Sequence, residues 1–149
     1  MYFFYFTILV NEKKRMCYNY VIHKNKGGTY FMHKAKVIFI GEQAIESQEP
    51  IILFFGEGVT DGLREYSVIQ KIEDPVSIEL VVGDSIIFGE QEYKVAHLGE
   101  FANKNLQSIE HASFIFSDEN PHEKLTSSVY LTPSVMPKIS LGMTITYQG

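Results

Sequence analysis

Five histidines are the residues of this chain whose side chains are best suited to chemistry near neutral pH. They are His23, His33, His97, His111 and His122. With an unperturbed pKa of about 6.5, an imidazole is available both as a neutral nucleophile and as a cation. The sequence has no glycine-rich phosphate loop followed by Lys-Ser or Lys-Thr, and its one cysteine, Cys17, cannot supply the cysteine pair of a zinc site. The histidines are therefore the candidates for group transfer.

Three of the five histidines are predicted to be solvated rather than functional. His23 lies in an N-terminal segment of unusual composition, His33 lies beside Met32, and His122 lies in an acidic loop. His97 follows Val95 by two residues, so the two share one face of a predicted strand. Its default role is to pack or to form a hydrogen bond there.

The elements that position these residues are mostly short strands. From residue 34 onward, apolar runs rich in β-branched and aromatic residues alternate with Gly, Pro and acidic turns, which is typical of an all-β domain. The pattern predicts a compact barrel or sandwich of mostly antiparallel strands. Predicted strands are Ala35 to Ile40, Pro50 to Phe55, Tyr66 to Lys71, Val76 to Val82, Ser85 to Phe88, Glu92 to Leu98, Ala112 to Phe116, Ser128 to Leu131 and Met143 to Tyr147.

One segment has helical rather than strand spacing. Between Glu100 and Ile109, the side chains of Phe101, Leu106 and Ile109 fall on one face of a helix. We therefore predict one short helix, directly before His111.

Charge is unevenly distributed along the 149 residues. The first 31 hold five basic residues and one acidic residue, whereas the rest hold 8 basic and 17 acidic residues. An acidic body argues against nucleic acid as a partner and suits a basic protein. A lone cysteine offers no internal disulfide, which is consistent with a reducing cytoplasm.

The composition changes near Met32. Residues 1–31 hold nine of the twenty Phe and Tyr residues, and we see no strand pattern that joins them to the body. Codons for Lys26, Gly27 and Gly28 can also contain the purine run of a bacterial ribosome-binding site shortly before Met32. We interpret 1–31 as translated leader DNA or a disordered tail, and 32–149 as a single domain.

The segment from Val82 to Phe116 resembles the signature of the glucitol/sorbitol-specific enzyme IIA family of the bacterial sugar phosphotransferase system. Residues 39–45, 55–66 and 141–147 also resemble the family's opening, second and closing strand segments. The resemblance implies a cytoplasmic phosphocarrier that needs no cofactor or metal. Its implied partners are HPr, which donates a phosphoryl group, and the IIB and IIC components of a sugar transporter. The resemblance leaves open whether the protein forms a homo-oligomer.

The resemblance also assigns two candidate site residues, Gln70 and His111. The family's acceptor histidine falls on Gln70, whose amide cannot act as the nucleophile that an imidazole can. We expect Gln70 to keep a place on the docking surface. His111 matches the histidine of the family's Gly-His pattern, with Glu110 in the glycine position. It is either a strand-end histidine bonded to the backbone or a residue of the phosphoryl site.

Two functions therefore stay open at this point. In the first, the chain is a working phosphocarrier in which His111 or His97 has replaced the acceptor. In the second, it is a non-phosphorylated binding or regulatory module that keeps the fold and the partner surface.

Overall fold

The computed structural model of the protein describes residues 3–7, 19–25, 28–30, 32–45, 48–121 and 125–149, with only the backbone described in the first three ranges. In the described ranges before Met32 there are three strands: β1 (Phe3–Thr7), β2 (Asn19–Asn25) and β3 (Gly28–Tyr30). They form a separate antiparallel sheet in the order β1-β2-β3. The sequence did not predict them. The start of the domain at residue 32 stays a prediction.

Eight further strands form the body of the protein. They are β4 (Met32–Ile40), β5 (Ile51–Phe55), β6 (Ser67–Ile72), β7 (Ser85–Phe88), β8 (Gln91–Leu98), β9 (Ala112–Phe116), β10 (Ser128–Thr132) and β11 (Thr144–Gln148). These eight strands close into a barrel in the order β10-β8-β7-β11-β4-β6-β5-β9. Only the pairs β5–β6 and β9–β10 are parallel. The predicted all-β, mostly antiparallel fold is confirmed, and it is a barrel.

The barrel closes around a cluster of aromatic side chains. Phe54, Phe88, Phe114, Phe116 and Tyr93 contact one another, with ring centroids 5.1–5.9 Å apart. Most of these pairs meet edge to face, the geometry that the aromatic quadrupole favours. The four phenylalanines are at most 2% exposed. This cluster is part of the hydrophobic core of the barrel.

Helix α2 (Ala102–Ile109) confirms the predicted helix, although its apolar face differs from the prediction. Ala102 and Leu106 are buried, whereas Phe101 and Ile109 are 42% and 52% exposed. A shorter helix, α1 (Asp61–Arg64), follows β5. Among the described residues, no helix is both long and apolar enough to cross a membrane.

The strand predicted at Val76 to Val82 is wrong. Residues Pro75–Ser77 form a 3₁₀ helix, and Val76, Val81 and Val82 are exposed. The backbone that follows is held by amide side chains rather than by a neighbouring strand. Asn103 bonds both to Leu80 N–H and to Leu80 C=O at 2.8 Å. An apolar run thus lacks a strand here because α2 satisfies its backbone groups.

Candidate functional site

Gln70 lies inside the barrel and not on a surface. It alternates along β6 with Val68 and Ile72, two members of the buried core, and its exposed fraction is 0%. Because side chains two residues apart in a strand share a face, all three point inward. The expectation that Gln70 occupies a docking surface is therefore wrong. The strand pattern itself carried this signal, since positions 68 and 72 are both apolar.

Both ends of the Gln70 amide are engaged. Oε1 accepts a hydrogen bond of 2.7 Å from the Tyr147 hydroxyl, and Nε2 donates one of 2.9 Å to the Glu110 carbonyl. Burial raises the pKa of Tyr147, so its hydroxyl stays protonated as a donor. A buried amide with unpaired groups would cost free energy, so these two bonds account for a polar residue in the core. Position 70 is structurally satisfied and chemically inert.

Glu110 forms the corner between α2 and β9. Its φ of 54° is in the left-handed region, which costs a residue with a side chain roughly 1–2 kcal/mol. Backbone hydrogen bonds close the helix end around it: Glu110 N–H donates to Leu106 C=O, and His111 N–H donates to Asn105 C=O, both at 3.2 Å. This is the usual arrangement at a helix C-terminus, where glycine is preferred.

The Glu110 side chain folds back over the barrel end. One carboxyl oxygen accepts the Ile72 N–H, and a side chain at Gly56 would collide with the other. Burial raises the pKa of Glu110, and the bond from Ile72 partly opposes that rise. Within the described part of the chain, no lysine or arginine forms a salt bridge with this carboxyl group. The corner thus carries a half-buried acid, whose pKa the nearby charge of Glu57 also raises and that of Lys71 lowers.

His111 directly follows this corner, and two contacts hold its ring. Its Nδ1 lies 2.8 Å from the Phe54 carbonyl, and its ring stacks on Phe55 with centroids 4.0 Å apart at 17°. Since a carbonyl only accepts, Nδ1 carries the proton and Nε2 of the neutral ring carries the lone pair. Burial lowers the pKa of His111, and the Phe54 bond partly opposes this. The neutral imidazole is therefore the major form of the ring at pH 7.

A groove of about 340 Å³ opens beside this histidine. Its lining is Phe55, Gly56, Gly58, Val59, Thr60, Leu63, Ser108, Ile109 and Glu110. Leu63 and Ile109 are 43% and 52% exposed on its walls. Phe55 connects the groove to His111, because it lines the first and stacks on the second. The site thus consists of an imidazole, an apolar groove and a carboxyl group.

Neither His97 nor His33 joins this site. His97 is half-buried on β8 and meets Tyr130 edge-on with ring centroids 6.0 Å apart, while its neighbour Val95 is buried. His33 is buried at 7% exposure, so its predicted solvation is wrong; burial lowers its pKa, and Asp74 and Glu73 partly oppose that shift. His122 and the side chain of His23 lie outside the described residues.

Two residues of the site had no prediction. Tyr147 alternates with Ile145 along β11 and so faces the core, a signal present in the sequence, but its pairing with Gln70 spans 77 positions. The Phe54 carbonyl meets His111 across 57 positions. Such long-range contacts arise only when the barrel closes.

Among the described residues, no group of three or more His, Cys, Asp or Glu side chains could hold a metal ion.

Comparison with known proteins agrees with this architecture. The family "PTS system glucitol/sorbitol-specific IIA component" matches residues 32–146. A solved structure, "The Crystal Structure of PTS System IIA Component from Enterococcus faecalis V583", is 41% identical, with a TM-score of 0.74, and the alignment covers 76% of this chain and 98% of that one. No curated protein matches the chain. Because the family match spans most of its length, the chain belongs to the glucitol/sorbitol-specific IIA component family of the sugar phosphotransferase system.

Proposed function

We propose that this protein relays phosphoryl groups in a sugar phosphotransferase system of the glucitol/sorbitol type, with Nε2 of His111 as the acceptor. The donor is phospho-HPr and the recipient is a IIB unit. One observation carries the choice of residue: the Phe54 carbonyl fixes the His111 tautomer with its lone pair on Nε2. Gln70, at the family's acceptor position, is a buried amide with both ends bonded.

The transfer requires only positioning and charge stabilisation. As Nε2 of His111 forms its bond to phosphorus, the phosphorus–nitrogen bond to the HPr imidazole breaks, and that ring leaves with the bonding electron pair. The His111 ring gains positive charge in this step, and the Phe54 carbonyl accepts from Nδ1–H at 2.8 Å, where that charge develops. A loose, in-line phosphoryl transfer consumes no water and no further reactant.

The groove beside His111 is the surface we assign to these partners. It offers apolar area on Leu63 and Ile109 and the half-buried carboxyl group of Glu110. Residues 32–149 carry more acidic than basic side chains, which complements a basic partner.

Leu63→Asp should weaken HPr binding by a factor of ~10 or more in calorimetry, because it places a charge in the apolar contact. Val135→Asp, at an exposed position outside the groove, is the control.

Incubation with enzyme I, HPr and ³²P-labelled phosphoenolpyruvate tests the relay. The wild-type protein should acquire acid-labile label and lose it when a IIB unit is added. Label that depends on HPr but stays on the protein would confirm acceptance and contradict the relay. Failure to take up any label would contradict the proposal.

A second function is supported by the state of position 70. Because the amide of Gln70 cannot accept a phosphoryl group, a non-phosphorylated binding or regulatory module is the alternative. In that case the groove still binds HPr or IIB, and phosphorylation of HPr changes its affinity without transfer. HPr binding in the complete absence of label would favour this function.

A further inference from the structure

Gln70 is connected to His111 through a single peptide unit. The carbonyl that accepts from Gln70 Nε2 at 2.9 Å belongs to Glu110, and the nitrogen of the same peptide belongs to His111. On the other side, the Gln70 amide is anchored by the Tyr147 hydroxyl at 2.7 Å. A fully buried side chain on β6 thus reaches the backbone from which the imidazole extends.

Two hydrogen bonds hold this peptide unit, which follows a residue in an unfavourable backbone conformation. The left-handed backbone of Glu110 is unfavourable for a residue with a side chain, so the corner depends on the groups that hold it. The N–H of this peptide is held by the Asn105 carbonyl at 3.2 Å, near the upper limit for a good bond. Its C=O is held by Gln70 at the shorter distance of 2.9 Å. Gln70 therefore supplies the tighter of the two restraints.

The position of the peptide decides where the His111 ring lies. The ring must simultaneously reach the Phe54 carbonyl with Nδ1 and stack on Phe55. A rotation of the peptide that moves the Cα of His111 changes the angle of the Nδ1 bond, and hydrogen bonds weaken steeply with angle. Without that bond the ring is free to take the other tautomer, in which Nε2 carries the proton and has no lone pair.

We propose that Gln70 is a positioning residue for His111, which it aligns through the Glu110 carbonyl so that Nδ1 stays on Phe54 and Nε2 stays unprotonated. This role rests on the proposed function only for its effect on phosphoryl transfer. The effect on the tautomer is a property of the resting protein. A merely structural Gln70 would lower stability and leave the His111 tautomer unchanged.

Two variants of the full chain separate the roles. Gln70→Leu removes both hydrogen bonds at similar volume. Gln70→Glu is closer in shape: when protonated it donates to the Glu110 carbonyl and accepts from Tyr147, but when ionised it has no donor. The second variant therefore makes the restraint depend on pH, and it remains informative where Gln70→Leu does not fold. Ile145→Val, in the same buried core, is the control for lost stability.

Long-range ¹H–¹⁵N correlation spectra measure the tautomer directly. Wild-type and Ile145→Val proteins should show His111 protonated at Nδ1 alone. Gln70→Leu should show a substantial population protonated at Nε2, and Gln70→Glu should gain that population as the pH rises. A folded Gln70 variant with the wild-type tautomer at every pH would overturn the proposal, whether or not the protein is ever phosphorylated.

Labelling from phospho-HPr then tests the catalytic consequence. The maximal labelling rate of Gln70→Glu should match wild type at low pH and fall ~10-fold or more at high pH, with little change in the HPr concentration for half-maximal rate. An unchanged rate together with an altered tautomer would overturn the proposed acceptor and leave the positioning intact. An unchanged rate and an unchanged tautomer would overturn the positioning role.

Discussion

Gln70 and His111 are connected by one hydrogen bond and one peptide unit, and they differ in exposure and in the lone pairs they offer for group transfer. Gln70 is 0% exposed, bonded at both ends and has no free lone pair on nitrogen. His111 is half-buried, has its Nδ1 2.8 Å from the Phe54 carbonyl, and lies beside an open groove. A side chain enclosed in the core can position, whereas one at the edge of a groove can meet a partner.

The first way to break this comparison is to remove the imidazole at position 111. His111→Gln should reduce phosphoryl acceptance from phospho-HPr by a factor of ~100 or more, the scale of acid-base and positioning groups. His97→Gln is the matched control, because His97 is also half-buried but lies on β8, away from the groove. Rates from ³²P labelling check this. Equal losses in both variants, or a loss in His97→Gln alone, would remove His111 from the acceptor role.

The second way is to remove the anchor of position 70. Tyr147→Phe leaves Gln70 Oε1 without its donor inside the core, so it should cost about 1–3 kcal/mol in the free energy of unfolding. Tyr93→Phe also deletes a bonded hydroxyl, but that hydroxyl's acceptor is the carbonyl of Val135, an exposed residue, which water can satisfy. Urea unfolding of both variants should show the larger loss for Tyr147→Phe. The reverse order would mean that the bond to Gln70 contributes little.

The third test uses the pKa of His111, which burial lowers below its ordinary value. At pH below about 6.5 this histidine binds a proton more strongly in the unfolded chain than in the folded chain. The free energy of unfolding should therefore decline as the pH falls below about 6.5. His111→Gln should reduce the decline. It should not abolish it, because burial lowers the pKa of His33 in the same direction. A decline of the same size in His111→Gln would show that His111 is not protected from protonation.

The smallest effect is expected from removing the residues before Met32. Strand β4 begins at Met32, and the eight strands that close the barrel all lie between residues 32 and 148. A chain that begins at Met32 should therefore keep its melting temperature within a few degrees and its labelling rate unchanged. Loss of cooperative thermal unfolding in the shorter chain would show that the barrel depends on the preceding sheet.

Much of the secondary structure could be predicted from the sequence. Local patterns sufficed for the bounds of several elements: strands β7 and β9 have the predicted bounds, and α2 ends at the predicted Ile109. They failed at residues 76–82, where three exposed valines give the composition of a strand, but Asn103 and not a neighbouring strand bonds the backbone of Leu80. A prediction from residue propensities does not include a distant side chain that takes the place of a neighbouring strand as hydrogen-bond partner.

The site was predictable in part for the same reason. His111 was a candidate because of its type and its position before a strand. The inward direction of Gln70 follows from its alternation with Val68 and Ile72. The bonds that give each residue its role join β6 to β11, and join both β6 and β5 to the α2–β9 corner. Those contacts depend on barrel closure, which no local pattern encodes.

The central claim is that a phosphoryl group enters at Nε2 of His111. Its most direct test is to phosphorylate the protein with enzyme I, HPr and phosphoenolpyruvate, and then to locate the phosphate by mass spectrometry under non-acidic conditions and by ³¹P NMR. We predict one phosphohistidine, at His111, bonded through Nε2. Phosphate on Nδ1 of His111, on another histidine or on none would contradict the account.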